Sequence, residues 1–196
     1  MAEKKYTPMM MHYIKLKEEN PDSILFYRLG DFYEMFFEDA KIASQELNLV
    51  LTGRSAGVEE KVPMCGIPYH AANSYIQRLV KKGYKVAICE QLSDPSQSKG
   101  LVDRGIIKII TPGTYMDSAL DEKQTNYMAS VSVSSFEIVV IYCELSTGEL
   151  KYQTLERSLV SLQKALMEQH VSEVVLPMSF DKRWLNAFEE MDSILV

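Results

Sequence analysis

Ser23-Ile-Leu-Phe-Tyr-Arg-Leu29, Gly30-Asp31 and Phe32-Tyr-Glu-Met-Phe36 follow one another without interruption. They read as two strands joined by a two-residue turn, with glycine at the first turn position, where a type II′ hairpin needs a positive φ. Upstream, Thr7-Pro8 ahead of Met9, Met10, Tyr13, Ile14 and Leu16 gives a cap, a proline at the first helical position and an amphipathic helix that Asn20-Pro21 ends. Downstream, Ala40, Ile42, Ala43 and Leu47 recur at helical spacing with acids in the first turn, which predicts a helix over 38–47.

Further along, 48–52 reads as a short strand and 53–61 as a polar, glycine-containing connection. Val62-Pro-Met-Cys-Gly-Ile-Pro68 holds two prolines and a glycine in seven residues and is expected to be a shaped loop. A helix over 70–82 turns Ile76, Leu79 and Val80 inward and closes at Gly83. Strands at 84–89 and 105–110 flank a Ser/Asp/Pro/Gly-rich loop at 93–100, and Thr111-Pro-Gly-Thr114 breaks the pattern. Beyond polar residues 117–124 come three strands in succession, at Tyr127–Val133, 136–144 and 149–154, then a helix at 159–169, a strand at 173–176 and a helical stretch from Lys182. A boundary near 115–125 follows, giving domains at 1–115 and 116–196. The fold class is mixed α/β: a mixed sheet with a hairpin and flanking helices, then β-β-β-α-β, the opening order of a ribonuclease-H-like sheet. Ile194-Leu195-Val196 is apolar and reads as a strand interrupted, so the second domain is expected to be truncated.

With 196 residues, 46% of them hydrophobic, the chain can bury a sizeable core. Its net charge of −6 is unevenly placed, with 15 basic against 15 acidic residues over 1–117, which leaves 6 against 12 for the remainder. Such a balance argues against a broad basic surface, so any contact with a polyanion must be local. Cys65, Cys89 and Cys143 lack C-x-x-C spacing and read as free thiols of a reducing compartment, and His12, His70 and His170 are equally scattered, so no metal site is expected. Apolar runs fall short of the roughly 18 residues of a membrane span, and the first residues lack a signal-peptide apolar region. These features predict no membrane association and a cytoplasmic protein.

Side chains two apart in a strand share a face, so Phe32 and Glu34 project together while Tyr33 and Met35 face the other way. An aromatic ring beside a carboxylate is an unusual pair for a buried face. One reading makes Phe32 core with Glu34 at a wet edge. The other makes Phe32 a wedge for a base stack, with Glu34 hydrogen-bonding a displaced base; apolar wedges kink duplexes from the minor groove.

Gly30-Asp-Phe-Tyr-Glu34, Pro63-Met-Cys-Gly-Ile-Pro-Tyr-His-Ala71, Val86-Ala-Ile-Cys-Glu-Gln91, Asp94-Pro-Ser-Gln-Ser-Lys-Gly100 and Thr111-Pro-Gly-Thr114 resemble, in that order, the mismatch-recognition domain of the MutS family of DNA mismatch-repair proteins. Leu145-Ser-Thr-Gly-Glu149 is similar to a strand end of that family's connector domain. The resemblance implies that Phe32 stacks on a mispaired or unpaired base of sharply bent duplex DNA, that Glu34 bonds that base, and that Arg54 lies near the DNA backbone. Mispairs share weak stacking and easy deformation, which a wedge tests. A carboxylate near phosphates would also repel a duplex that offers it no donor. Met64, Tyr69 and His70 are plausible groove or backbone neighbours, or equally loop structure and helix capping.

No G-x-x-x-x-G-K-[ST] occurs, so the family's ATP- and magnesium-dependent ATPase and its homodimerisation are expected only in a full-length protein, and this chain is expected to be no enzyme. The competing reading is a ribonuclease-H-like nuclease, which needs acids on central strands to hold Mg²⁺. Tyr127–Val133 has none and the next strand offers only Glu137 and Glu144. A docking role toward a MutL-type partner is the third reading, implied for the acidic second domain by the connector resemblance.

Overall fold

The computed structural model describes residues 6–93, 103–116, 125–189, 191 and 194–196. The expected loop at 93–100 and the polar stretch 117–124 lie almost wholly outside them. The chain divides into two compact units, Met1–Val80 with Tyr84–Ile110, and Lys81–Gly83 with Thr111–Val196. Both are mixed α/β.

In the first unit a helix α1 (Pro8–Glu19) is capped by the Thr7 hydroxyl, which accepts from the Met10 N–H, and carries proline at its start. Strands β1 (Ser23–Leu29) and β2 (Phe32–Phe36) form the hairpin, with Leu29 opposite Phe32. Gly30 takes φ +59° and Asp31 does not, as a type II′ turn requires. Helix α2 (Phe37–Leu47) follows β2 with no linker. That abrupt switch puts Phe37 at φ +53°, a conformation that costs an aromatic residue about 1–3 kcal/mol. Its ring is held against Tyr6 and Tyr13, at centroid distances of 5.9 Å and 6.3 Å.

The six-stranded sheet is completed by β3 (Thr52–Arg54), β4 (Val62–Pro68), β5 (Lys85–Gln91) and β6 (Arg104–Ile110), in the order β3-β4-β2-β1-β5-β6. Only β1 and β5 run parallel; the other neighbours are antiparallel. Two expectations are corrected here. Residues 62–68 are not a loop but a strand lying between β2 and β3. Pro63 pairs only toward β3, opposite Gly53, and Pro68 only toward β2, opposite Phe32, so each proline sits where one side of the strand has no ladder for it to break. The short strand predicted at 48–52 starts four residues later, because Asn48 takes a left-handed conformation (φ 56°) to cap α2. The helix predicted over 70–82 resolves into a 3-10 turn, Tyr69–Ala71, and α3 (Ala72–Val80). Gly83 at φ +85° then closes it as expected, with the Tyr84 N–H donating to the Leu79 carbonyl at 3.1 Å.

Helix α1 packs on one face of the sheet, burying Met10, Tyr13 and Leu16 against Leu25, Tyr27, Phe36, Ala87 and Cys89. On the opposite side lie α2 and α3. Asp39 is a buried anion that fastens these layers: it accepts from the Leu25 N–H at 2.9 Å and the Tyr13 hydroxyl at 3.0 Å and pairs with Lys17 at 2.8 Å.

The second unit holds β7 (Tyr127–Val133), β8 (Glu137–Glu144) and β9 (Glu149–Glu156) as an antiparallel meander, then α4 (Leu159–Glu168), β10 (Val171–Val175) and α5 (Asn186–Glu189). Returning parallel beside β7, β10 makes the order β10-β7-β8-β9, which realises the expected β-β-β-α-β arrangement. The core lies on one face, where Tyr127, Val131, Ile138, Val140 and Tyr142 meet Leu162, Leu166, Trp184 and Phe188. Leu195 of the apolar end makes an isolated parallel bridge to Glu173 beside β10.

Candidate nucleic-acid interface

Because β2 alternates, Phe32, Glu34 and Phe36 share a face. Register sets their neighbours: Leu29 and Pro68 flank Phe32, Tyr27 and Gly66 flank Glu34, and Met64 lies opposite Phe36. Helix α1 covers this face only part of the way. Phe36 is fully buried, with the Tyr13 ring edge-on at 4.9 Å, whereas Phe32, four residues nearer the turn, is 48% exposed. Phe32 is therefore held rigidly at the backbone, by strands on both sides, and left bare at the ring. That excludes the core role for it.

Glu34 lies between these extremes, its side chain 16% exposed, and its carboxylate is ion-paired with Arg54. The arginine reaches it from β3 across β4; its guanidinium carbon also stands 5.8 Å from the Phe36 ring centroid. Gly66, opposite Glu34, presents no side chain to obstruct this reach. The family resemblance implied a base-bonding carboxylate at 34 and, separately, a guanidinium near the DNA backbone at 54. The fold couples them, and no spacing signal exists for a pair twenty residues apart on strands separated by a third.

The structure brings Glu34 and Arg54 into contact, keeps Phe32 on the same face of β2 as Glu34, and sets Tyr69 next to Pro68, the partner of Phe32. Met64 sits at the covered end of the face, against the α1 core, and takes a weak contact from the Thr52 hydroxyl at 3.9 Å. Tyr69 and His70 are exposed in the 3-10 turn beside the hairpin tip. The Tyr69 N–H donates to the Asp31 carbonyl at 3.0 Å, tying that turn to the tip. Arg28 escaped sequence reading. Its guanidinium covers the Tyr69 ring at 3.7 Å, donates to the Gly30 carbonyl at 2.5 Å and pairs with Glu90 at 3.2 Å, and Glu90 also accepts from the Tyr33 hydroxyl. Burial, and then the hydrogen bond to Glu90, push the Tyr33 hydroxyl up to about 12, so it stays a proton donor. On the other flank, Arg104 donates to the Arg28 carbonyl at 2.9 Å and lies 5.4 Å from the Tyr27 ring, whose hydroxyl meets His12 Nδ1 at 2.9 Å. Burial, and next the positive Arg104, lower the His12 pKa, which keeps that ring neutral at neutral pH.

Matching against known families places residues 7–119 on the model described as MutS domain I. The chain belongs to the MutS family. Among curated relatives, the DNA mismatch repair protein MutS of Clostridium botulinum (strain 657 / Type Ba4) is 65% identical over 144 residues, covering 73% of this chain and 16% of that protein. The protein of the same name from Clostridium kluyveri (strain ATCC 8527 / DSM 555 / NBRC 12016 / NCIMB 10680 / K1) is 51% identical over 189 residues, 94% of this chain and 22% of that one. The chain thus spans about a fifth of the length of these relatives. The stretch matched to MutS domain I takes in the hairpin, the Glu34–Arg54 pair and the Arg28–Tyr69 contact.

In this MutS-family chain Glu144, one of the two acids that a nuclease reading would draw on, is otherwise engaged, while Glu137 is exposed at the start of β8. Glu144 is buried and accepts from the Thr147 hydroxyl at 2.6 Å, the Thr147 N–H at 2.7 Å and the Ser146 hydroxyl at 2.8 Å. Those donors, the Thr147 hydroxyl first, hold its carboxyl at about 2. Among the described residues no group of three or more His, Cys, Asp or Glu is arranged to hold a metal ion.

Proposed function

We propose that this chain inspects duplex DNA for mispaired or unpaired bases in mismatch repair, with Phe32 as the inserted wedge and Glu34 as the group that bonds the displaced base. The observation that carries this reading is the bare Phe32 ring at the tip of a hairpin whose backbone is fixed on both sides. An exposed aromatic on a rigid mount loses little entropy on stacking, and the unstacking it imposes costs less at a weak pair than at a sound one. Membership in the MutS family, with relatives named as DNA mismatch repair proteins, supports it.

In this reading the chain is a binding module that catalyses nothing itself and acts in the cytoplasm. Its acidic second unit docks a MutL-type partner, and ATP, magnesium and homodimerisation belong to a longer protein. The test is a fluorescence-anisotropy titration of the chain with paired and G·T-mismatched duplexes at low salt, repeated for Phe32→Ala. Preference for the mismatch in the wild type and its loss in the variant support the reading. Equal binding of both duplexes by the wild type overturns it.

A further inference from the structure

Glu34 and Arg54 form a mutually neutralising pair, but not a sealed one: the arginine side chain is 35% exposed and the glutamate 16%. Arg54 is the last residue of a three-residue edge strand, paired on one side only. Its guanidinium has five N–H donors, of which the bond to Glu34 uses one, on a terminal nitrogen. The two non-bridging oxygens of a tetrahedral backbone phosphate can accept the same paired N–H bonds as a carboxylate, and they carry the same single negative charge. On the same face of β2 as Glu34, two residues nearer the turn, stands Phe32, the exposed ring.

We propose that the Glu34–Arg54 pair is a charge latch that DNA itself opens. Without a duplex, Arg54 cancels the carboxylate next to the wedge. When a backbone phosphate reaches the site it takes the guanidinium, and Glu34 is uncovered at the moment a base can be displaced toward it. On a mismatch the carboxylate finds a donor on the displaced base. On a sound pair it finds none and is left as an unpaired anion beside phosphates, so the exchange is unfavourable there. Arg54 is in this view a specificity-determining residue: it converts phosphate contact, which carries no sequence information, into exposure of the group that judges the base. The inference rests on the mismatch-inspection reading above.

The latch predicts a particular non-additivity. Arg54→Gln alone loses a phosphate contact but no longer has an ion pair to break, so its cost is partly offset. In a Glu34→Gln background there is no pair to break, and Arg54→Gln then costs its full phosphate contact. The experiment is a double-mutant cycle in this chain with wild type, E34Q, R54Q and E34Q/R54Q, each titrated with paired and G·T duplexes at fixed salt. Alongside it, the side-chain Nε–H resonance of Arg54 is followed by NMR without and with the G·T duplex. The expected result is a roughly threefold to tenfold larger loss of affinity for Arg54→Gln in the Glu34→Gln background than in the wild type, and a shift of the Arg54 resonance on adding duplex that the free E34Q variant already partly shows. Additive losses with an unmoved Arg54 signal, in a chain that binds DNA and loses mismatch preference in Phe32→Ala, overturn the latch and leave the inspection reading intact. A chain that binds neither duplex overturns both.

Discussion

The guanidinium carbon of Arg28 lies 3.7 Å from the ring centroid of Tyr69, and the same side chain bonds the Gly30 carbonyl inside the hairpin turn. One residue therefore grips the tip from β1 and the end of β4 together. Replacing Tyr69 by Ala removes the stacking partner but leaves the Glu90 pair. We expect a loss of about 1 kcal/mol in stability, the scale of a partly exposed cation–π contact, and faster amide exchange at Tyr69, whose N–H is bonded to Asp31. Hydrogen exchange followed by NMR checks it; unchanged exchange there would mean that the backbone alone holds the tip.

Phe32 and Phe26 are the same residue type on adjoining strands with opposite fates, one 48% exposed and the other fully buried. Phe26→Ala is expected to cost about 3–5 kcal/mol through transfer and cavity terms. Phe32→Ala should leave the urea midpoint nearly unmoved while removing about 1–3 kcal/mol of stacking on a base. Paired urea titrations of the two variants separate them, and a large loss of stability for Phe32→Ala contradicts the exposed placement.

Glu144 gives the second unit a defined acid sensitivity. Its carboxyl ordinarily titrates at 4.5 and is held at about 2 in the folded chain, first by the Thr147 hydroxyl. A depressed folded pKa contributes stability that is present above the unfolded value and is lost as pH falls through the window from 4.5 to about 2. Glu144→Gln should flatten that part of the profile. Urea midpoints at about pH 5 and about pH 3 for both proteins measure it; parallel declines would show that Glu144 is not the responsible group.

Gly113 is closed in by the second unit's sheet. A Cβ there would stand 2.8 Å from the Glu173 Cβ and 3.3 Å from the Met128 Cβ, atoms anchored directly to backbone. The Gly113 N–H also donates to the Glu173 carboxylate at 3.0 Å. Gly113→Ala must push the turn away from the sheet, at an expected cost of about 1–3 kcal/mol, as for other overpacked sites. Thermal denaturation reports it, and a neutral result would mean that the Thr111–Thr114 turn is free to shift.

The hairpin, the helix after it, the three-strand meander and the family resemblance were legible in the sequence because each rests on local chemistry. A glycine at the turn, a proline behind a threonine cap and period-two alternation act within a few residues. That Phe32 and Glu34 share a face was legible for the same reason, since side chains two apart share a strand face whatever the strand packs against. What the tertiary structure alone decided is non-local. Residues 62–68 became a strand because β2 and β3 supply ladders on either side, and local proline content cannot foresee partners brought in from 32–36 and 52–54. The bareness of Phe32 depends on where α1 stops covering the sheet. Above all, the charge on Glu34 could be judged only once Arg54 stood beside it, because electrostatic neutralisation depends on distance in space, and the folding of β3 against β4 sets that distance.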